Sequence, residues 1–296
     1  MKIDGVFSGG GVKAFAFVGA LESIEEKQLL LERVAGTSAG AIVASLIAAG
    51  YPFNEIKILM DKLDLKQFSD PPALTKIIPF SKWFFLYFQL GINKGDKLEN
   101  WLYNQLAAKG IYTFSDLKPG YLKVIVSDLS LGKLVVIPDD LKRVYGIEPN
   151  YFPVSKAVRM SAGFPYFFMP KKLPGKSNKS IIVDGGLLSN FPLWVFEKGE
   201  YKRERPILGV KLTGSVEEQN QPRYIKNALD MFHALFSTMK LAHDARYIST
   251  SDKNNIIFIP VNDVQSMNFK LDTATKEQLF QSGRQSADRF LARWPT

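Results

Sequence analysis

Apolar and polar positions in the first fifty residues predict two strands and two helices in alternation. Residues 2–8 and 33–37 read as short strands, and each is followed by a glycine-containing turn. Residues 13–27 carry apolar side chains at helical spacing. Residues 39–49 are apolar on all sides, which is typical of a buried helix. This order of strand, tight turn and helix predicts an α/β fold with a parallel sheet.

The remainder of the chain continues the pattern without an internal repeat or a linker, which favours one domain over residues 1–296. Helices are predicted over 54–63, 96–108, 154–162, 224–248 and 273–293. Strands are predicted over 122–128, 133–138, 180–184, 206–212 and 256–260, the first two as a hairpin. Two stretches do not fit the alternation: 70–93, which contains three prolines and an aromatic run, and 169–180, which reads as a lysine-rich loop.

The turn after the second predicted strand has the spacing G-x-S-x-G, with Ser38 between Gly36 and Gly40. In a nucleophile elbow this spacing exposes the serine hydroxyl where a strand turns sharply into a helix. Glycines are needed there because the tight turn leaves no room for Cβ atoms. An ordinary serine at the start of a helix can have the same sequence pattern, so the pattern alone leaves both interpretations open.

Three consecutive glycines, Gly9, Gly10 and Gly11, end the first predicted strand just before a helix. Their backbone N–H groups can form an anion-binding concavity of the kind that stabilises a tetrahedral oxyanion. The same turn also satisfies the dinucleotide-binding spacing G-x-G-x-x-[GA]. That fingerprint requires an acidic residue near the end of the second strand, whereas Glu32 precedes this strand. The sequence therefore favours the oxyanion interpretation over nucleotide binding.

A serine nucleophile needs a base, and the chain has only two histidines. His233 and His243 lie in one predicted helix, away from any glycine turn, so neither is a strong candidate. Asp184 ends a predicted strand before Gly185 and Gly186, which should place it at the carboxyl edge of the sheet, near the serine turn. A carboxyl whose pKa is raised by an apolar site can accept the serine proton. Asp-Gly is also a common turn, so a simple capping role remains an alternative.

The three glycine motifs, taken together and in this order, resemble the patatin-like phospholipase family. They are Gly9-Gly10-Gly11-Val12-Lys13, Gly36-Thr37-Ser38-Ala39-Gly40 and Asp184-Gly185-Gly186. Residues 159–170 are similar to a further segment of that family, so the resemblance covers about residues 3–192. Residues 193–296 would complete the fold. The resemblance implies a single three-layer α/β/α domain with a mainly parallel central sheet.

The resemblance also implies the role of each motif residue. Ser38 would be the nucleophile and Asp184 the base of a catalytic dyad, with Gly9, Gly10 and Gly11 as the oxyanion hole. Lys13 would take the place of the family's basic residue, and the glycines that support the motifs are Gly36, Gly40, Gly185 and Gly186. The chain departs from the family at Ala14, where glycine is usual. The implied activity is hydrolysis of lipid acyl esters, of the phospholipase A type, without a metal or another cofactor.

Composition limits the other classes of function. The chain has no cysteine, which excludes disulfides and thiolate sites, and its net charge is +9. The basic residues are dispersed, so we expect no nucleic-acid partner, while peripheral contact with an anionic membrane stays open. The start of the chain lacks the apolar region of a signal peptide, and no run of eighteen apolar residues exists. We therefore expect a cytoplasmic protein, and export without a classical signal stays open.

Two segments invite a role in lipid contact. Residues 79–92 are rich in aromatic side chains and would form either part of the core or a lid that meets the membrane surface. The lysines of 171–179 would form either a solvated loop or a contact with an anionic leaflet. Two other functions remain open on the same fold: a catalytically silent lipid-binding or regulatory protein, and a nonlipid esterase or thioesterase.

Overall fold

A computed structural model of the chain describes residues 1–76, 81–175, 178–197, 205–214, 224–250, 253–261 and 271–294. The strands in these ranges are β1 (Lys2–Phe7), β2 (Leu30–Thr37), β3 (Gly91–Asn93), β4 (Leu122–Asp128), β5 (Lys133–Ile137), β6 (Tyr166–Phe168), β7 (Lys171–Leu173), β8 (Ser180–Asp184), β9 (Ile207–Thr213) and β10 (Ile256–Pro260). The helices are α1 (Phe15–Glu26), α2 (Ala39–Ala48), α3 (Phe53–Lys62), α4 (Ser81–Gln89), α5 (Asp96–Ala107), α6 (Val154–Ser161), α7 (Ala228–Thr250) and α8 (Thr273–Leu291).

Eight strands form one mixed sheet in the order β10-β9-β1-β2-β4-β8-β7, and β5 also pairs with β4. The pairs from β10 through to β4 are parallel, whereas β5, β7 and β8 join the sheet by antiparallel pairs. The predicted α/β fold with a mainly parallel sheet is confirmed, as is the hairpin of β4 and β5. The predicted loop over 169–180 is wrong in part, because β7 lies within it. β3 and β6 form a separate two-stranded sheet that the sequence pattern did not predict.

The pairing of β4 determines where two chain turns meet. The first part of β4 pairs with β2, with Thr37 opposite Ile125, and the last part pairs with β8, with Asp184 opposite Val126. β5 occupies the other side of β4 along Val124 to Asp128. β2 and β8 therefore lie end to end along the same side of β4, and their last residues meet.

Helical segments pack on both faces of this sheet, which gives three layers. The main core lies between the sheet and the helices α1, α2, α5, α6 and α8. α1 and α8 approach closely at two glycines: a Cβ at Gly19 would lie 1.9 Å from the carbonyl oxygen of Phe280, and a Cβ at Gly283 would lie 1.8 Å from that of Ala16. The second face packs on the segment that includes the helical turn Leu193–Phe196.

The predicted helix over 39–49 corresponds to α2, and its burial is confirmed. Its side chains face β1, β2 and β4 on one side and α5 and α6 on the other. An all-apolar helix is stable in this position because it has core on both sides. Among the described helices, none has the length and apolar character required to cross a membrane.

Candidate active site

Ser38 lies at the junction of β2 and α2 in a strained backbone conformation. Its φ is 55° and its ψ is −124°, a left-handed conformation that costs a residue with a side chain about 1–3 kcal/mol. The carbonyl oxygen of Ser38 accepts hydrogen bonds from the N–H groups of Ala41 and Ile42 in the first turn of α2. The turn is thus held by the helix that follows it, as the G-x-S-x-G interpretation predicts.

The two glycines of this turn are in contact with backbone atoms. A Cβ at Gly36 would lie 2.4 Å from the carbonyl carbon and oxygen of Gly40, and a Cβ at Gly40 would lie 2.4 Å from the carbonyl oxygen of Phe7. Backbone atoms cannot move aside as flexible side chains can. Steric exclusion therefore accounts for both glycines, as the sequence analysis expected.

Ser161, at the end of α6, fixes the turn from the other side. Its buried hydroxyl accepts the N–H of Ser38 at 2.9 Å and donates to the carbonyl oxygen of Ile125 at 2.6 Å. This hydrogen bond links the nucleophile turn to the middle of β4. The sequence analysis missed this role, and the only available signal was the position of Ser161 within the family-like segment 159–170.

Asp184 lies at the end of β8, and only 3% of its surface is exposed. Its carboxylate accepts a hydrogen bond of 2.7 Å from the N–H of Gly186 and lies beside the side chain of Ser38. Burial raises the pKa of Asp184 to about 6, and the interactions with Ser38 and Gly186 and the charge of Lys240 oppose the rise. Asp184 therefore caps the turn that follows it and also lies beside Ser38, so the capping role does not separate it from the serine.

The expected reason for this proximity was wrong. Asp184 was placed at the carboxyl edge of a parallel sheet, but β8 runs antiparallel to β4. The side chains of Ser38 and Asp184 meet because β2 and β8 pair with the same side of β4 and run toward each other along it. Gly185 permits the approach, since a Cβ there would lie 2.3 Å from the carbonyl oxygen of Ile125.

The glycine loop differs from the expectation at its first residue. The N–H of Gly9 donates to the carbonyl oxygen of Asn190 at 2.9 Å, so it is not available to an oxyanion in this arrangement. Gly9 packs instead against Ser38, because a Cβ at Gly9 would lie 3.3 Å from the Cβ of Ser38. Among the backbone hydrogen bonds of the described residues, none has the N–H of Gly10 or Gly11 as its donor. Gly11 has a φ of 57°, which glycine adopts without strain.

Lys13 follows this loop in the helical turn Gly11–Ala14, and its ammonium donates to the carbonyl oxygen of Val261 at 3.2 Å. It thereby connects the loop to the residue after β10. His243 lies on α7, and the side chain of His233 lies outside the described residues. The charged group that acts on Asp184 from α7 is Lys240. The sequence analysis missed both Lys240 and Asn190.

Comparison with known proteins assigns the family. The family model "Patatin-like phospholipase" matches residues 5–197, more than half of the chain. The uncharacterized protein YqhO of Bacillus subtilis is 47% identical over 294 residues, which cover 99% of each chain. The triacylglycerol lipase ptl3 of Schizosaccharomyces pombe is 28% identical over 64% of this chain and 38% of its own length. The crystal structure of VipD from Legionella pneumophila has the same fold at 18% identity, with a TM-score of 0.58, and the match covers 98% of this chain and 66% of VipD. The chain belongs to the patatin-like phospholipase family.

Proposed function

We propose that the protein is a lipid acyl hydrolase of the phospholipase A type that works through a dyad of Ser38 and Asp184. The observation that supports this proposal best is the buried carboxylate of Asp184 beside the side chain of Ser38. Family membership supports hydrolysis of lipid esters in general. A strained serine beside a desolvated carboxylate supplies the nucleophile and the base that this reaction needs.

In the first half of the reaction, the Ser38 oxygen attacks the ester carbonyl carbon while its proton passes to Asp184. The negative charge that develops on the carbonyl oxygen is stabilised by the N–H groups of Gly10 and Gly11. When the tetrahedral intermediate collapses, the bond to the alcohol breaks and Asp184 returns the proton to the leaving oxygen. A water molecule, deprotonated by Asp184, then attacks the acyl carbonyl carbon; the bond to Ser38 breaks, the fatty acid leaves, and Asp184 returns the proton to the Ser38 oxygen.

Helix α4 supports contact with a lipid surface. Phe85 is buried, whereas 77% of Tyr87 and 64% of Phe88 is exposed, and these two rings contact each other edge to face. The aromatic segment is thus divided between core and surface, and exposed aromatic rings insert readily into the headgroup region of a bilayer. Residues 77–80 and the Trp83 side chain lie outside the described residues. We infer that Tyr87 and Phe88 contact the membrane.

The proposal is tested by intact-mass spectrometry after treatment with a fluorophosphonate, with and without anionic phosphatidylglycerol vesicles. We expect one adduct on the wild type, none on Ser38→Ala, and much slower formation on Asp184→Asn. Ser45→Ala is the matched control, since Ser45 is a buried serine of α2 whose hydroxyl donates to its own helix. Unlabelled protein is assayed separately for release of fatty acid from phosphatidylcholine and from a thioester, which separates a phospholipase from a nonlipid thioesterase.

The absence of an adduct on folded wild-type protein in both conditions would contradict the proposal and would favour the silent lipid-binding function. An adduct that persists on Ser38→Ala would place the nucleophile elsewhere. An adduct that needs Ser38 but forms at the wild-type rate on Asp184→Asn would show that another group is the base.

A further inference from the structure

Helix α7 presents one mixed face toward the rest of the protein. Phe232, Phe236, Lys240 and Asp244 are spaced by four residues, so they lie along the same side of the helix. The first two carry rings whose centroids are 6.3 and 4.9 Å from that of Phe164. α7 also packs against the turn Gly185–Leu187. This face is therefore apolar in its first half, charged in its second half, and adjacent to the turn that begins at Asp184.

The charged half of this face belongs to a cluster with an excess of one positive charge. Asp244 is buried and forms an ion pair with Lys211 of β9. Lys13 approaches from the glycine loop, and Lys240 is acted on by the charges of all four neighbours: Asp184, Asp244, Lys13 and Lys211. Three lysines thus face two carboxylates. Because the charges of Lys211 and Asp244 neutralise each other in their ion pair, the excess positive charge lies on the side of Asp184.

Lys240 is the member of this cluster with unused donors. It is half-buried, and within the described residues its ammonium forms no hydrogen bond or ion pair. Burial lowers the pKa of Lys240, and the two neighbouring carboxylates oppose this effect. An incoming anion would favour the charged form of Lys240 in the same way.

We propose that Lys240 is a specificity-determining residue that binds the phosphate of a glycerophospholipid while an acyl ester of the same molecule lies at Ser38. This inference rests on the proposed function and names the substrate class of that site. Phe236 and Lys240 are about 6 Å apart along the helix axis. In a glycerophospholipid only a few covalent bonds separate the acyl ester from the phosphate, so one molecule can reach both halves of the α7 face.

The proton transfer from Ser38 to Asp184 also favours a bound phosphate beside Lys240. When Asp184 accepts the Ser38 proton it becomes neutral, and Lys240 loses one of its two neighbouring negative charges. A bound phosphate supplies a negative charge that remains throughout this step. A neutral glyceride has no such group, so the cluster discriminates between the two classes of ester most strongly in the transition state.

The test compares two short-chain esters that dissolve as monomers, so that binding to a lipid surface does not contribute. These are dihexanoylphosphatidylcholine, which has a phosphate, and dihexanoylglycerol, which has none. For Lys240→Met we expect the ratio of the two kcat/KM values to fall about tenfold, the usual effect of a lost charged hydrogen bond. Lys240→Arg should restore most of the ratio. Using the ratio removes any effect of Lys240 on Asp184, because that effect applies to both esters equally.

Lys226→Met, which removes an exposed lysine just before α7, is the matched control and should leave the ratio as in the wild type. The inference is overturned if the ratio for Lys240→Met stays unchanged, whatever happens to the separate rates, or if Lys226→Met lowers it equally. Fluorophosphonate labelling of Ser38 in each variant distinguishes this result from failure of the proposed function. If the wild type is not labelled and hydrolyses neither ester, the proposed function itself fails.

Discussion

The burial of Asp184 makes a quantitative prediction for the pH dependence of Ser38 reactivity. The carboxyl must be ionised to act as a base, and burial raises its pKa from 3.8 to about 6. At pH 5 only about one tenth of the sites would then be ionised, whereas a carboxyl with an ordinary pKa would be almost fully ionised. Reactivity should therefore rise about tenfold between pH 5 and pH 7.5.

The measurement is the second-order rate of fluorophosphonate labelling between pH 4.5 and 8, which needs neither a lipid surface nor product release. We expect half-maximal labelling near pH 6. Because free histidine titrates near pH 6.5, the double variant His233→Gln/His243→Gln must be measured in parallel. Its profile should match that of the wild type.

Three results would refute this reasoning. A half-maximum near pH 4 would show that Asp184 is not desolvated when it acts. Loss of the pH dependence in the double histidine variant would assign the base to a histidine. An unchanged profile in Asp184→Asn would show that the titrating group is not Asp184.

Three further predictions concern stability and positioning. Asp184→Asn should increase the free energy of unfolding at pH 7 by up to about 3 kcal/mol, because the raised pKa in the folded state means that the ionised carboxylate destabilises the fold. In urea titrations, the difference in unfolding free energy between this variant and the wild type should shrink as the pH falls from about 6 toward 3.8. Ser161→Ala should leave the Ser38 N–H unpaired and lower stability by about 1–3 kcal/mol, with slower labelling than in the Ser45→Ala control. Arg159, fully buried, donates to the carbonyl oxygens of Lys94, Gly95 and Met169, so Arg159→Met should lower the unfolding free energy by about 3 kcal/mol in urea.

The sequence pattern predicted those parts of the fold whose burial follows a local period. β1 and α2 were predicted to within one residue at each end, whereas β2 begins at Leu30, three residues before its predicted start. β3, β6 and β7 have three residues each, which is too short for any period to be recognised. The direction of β8 could not be predicted either, because the sequence of a buried strand does not depend on whether its neighbour is parallel or antiparallel.

The candidate site was predictable where a backbone constraint leaves a glycine in the sequence. The turns around Ser38 and Asp184 are marked in this way, so the pair could be named before the structure was known. Ser161, Asn190 and Lys240 act through contacts with residues far away in the chain: Ser38 and Ser161 are 123 positions apart. Nothing in the local pattern marks such residues. The α7 face changes from Phe232 and Phe236 to Lys240 and Asp244 along one side, so it lacks the continuous apolar stripe of a simple core helix.

The separation of Ser38 and Asp184 depends on the register in which β2 and β8 pair with β4. Thr37 lies opposite Ile125 and Asp184 lies opposite Val126, so adjacent β4 residues set the separation of the nucleophile turn and the carboxylate. The carbonyl oxygen of Ile125 also accepts the Ser161 hydroxyl that holds Ser38. A slip of one residue would move either partner by about 3.3 Å, more than a hydrogen bond tolerates. The antiparallel entry of β8 is thus what brings Ser38 and Asp184, 146 positions apart in the chain, side by side at β4.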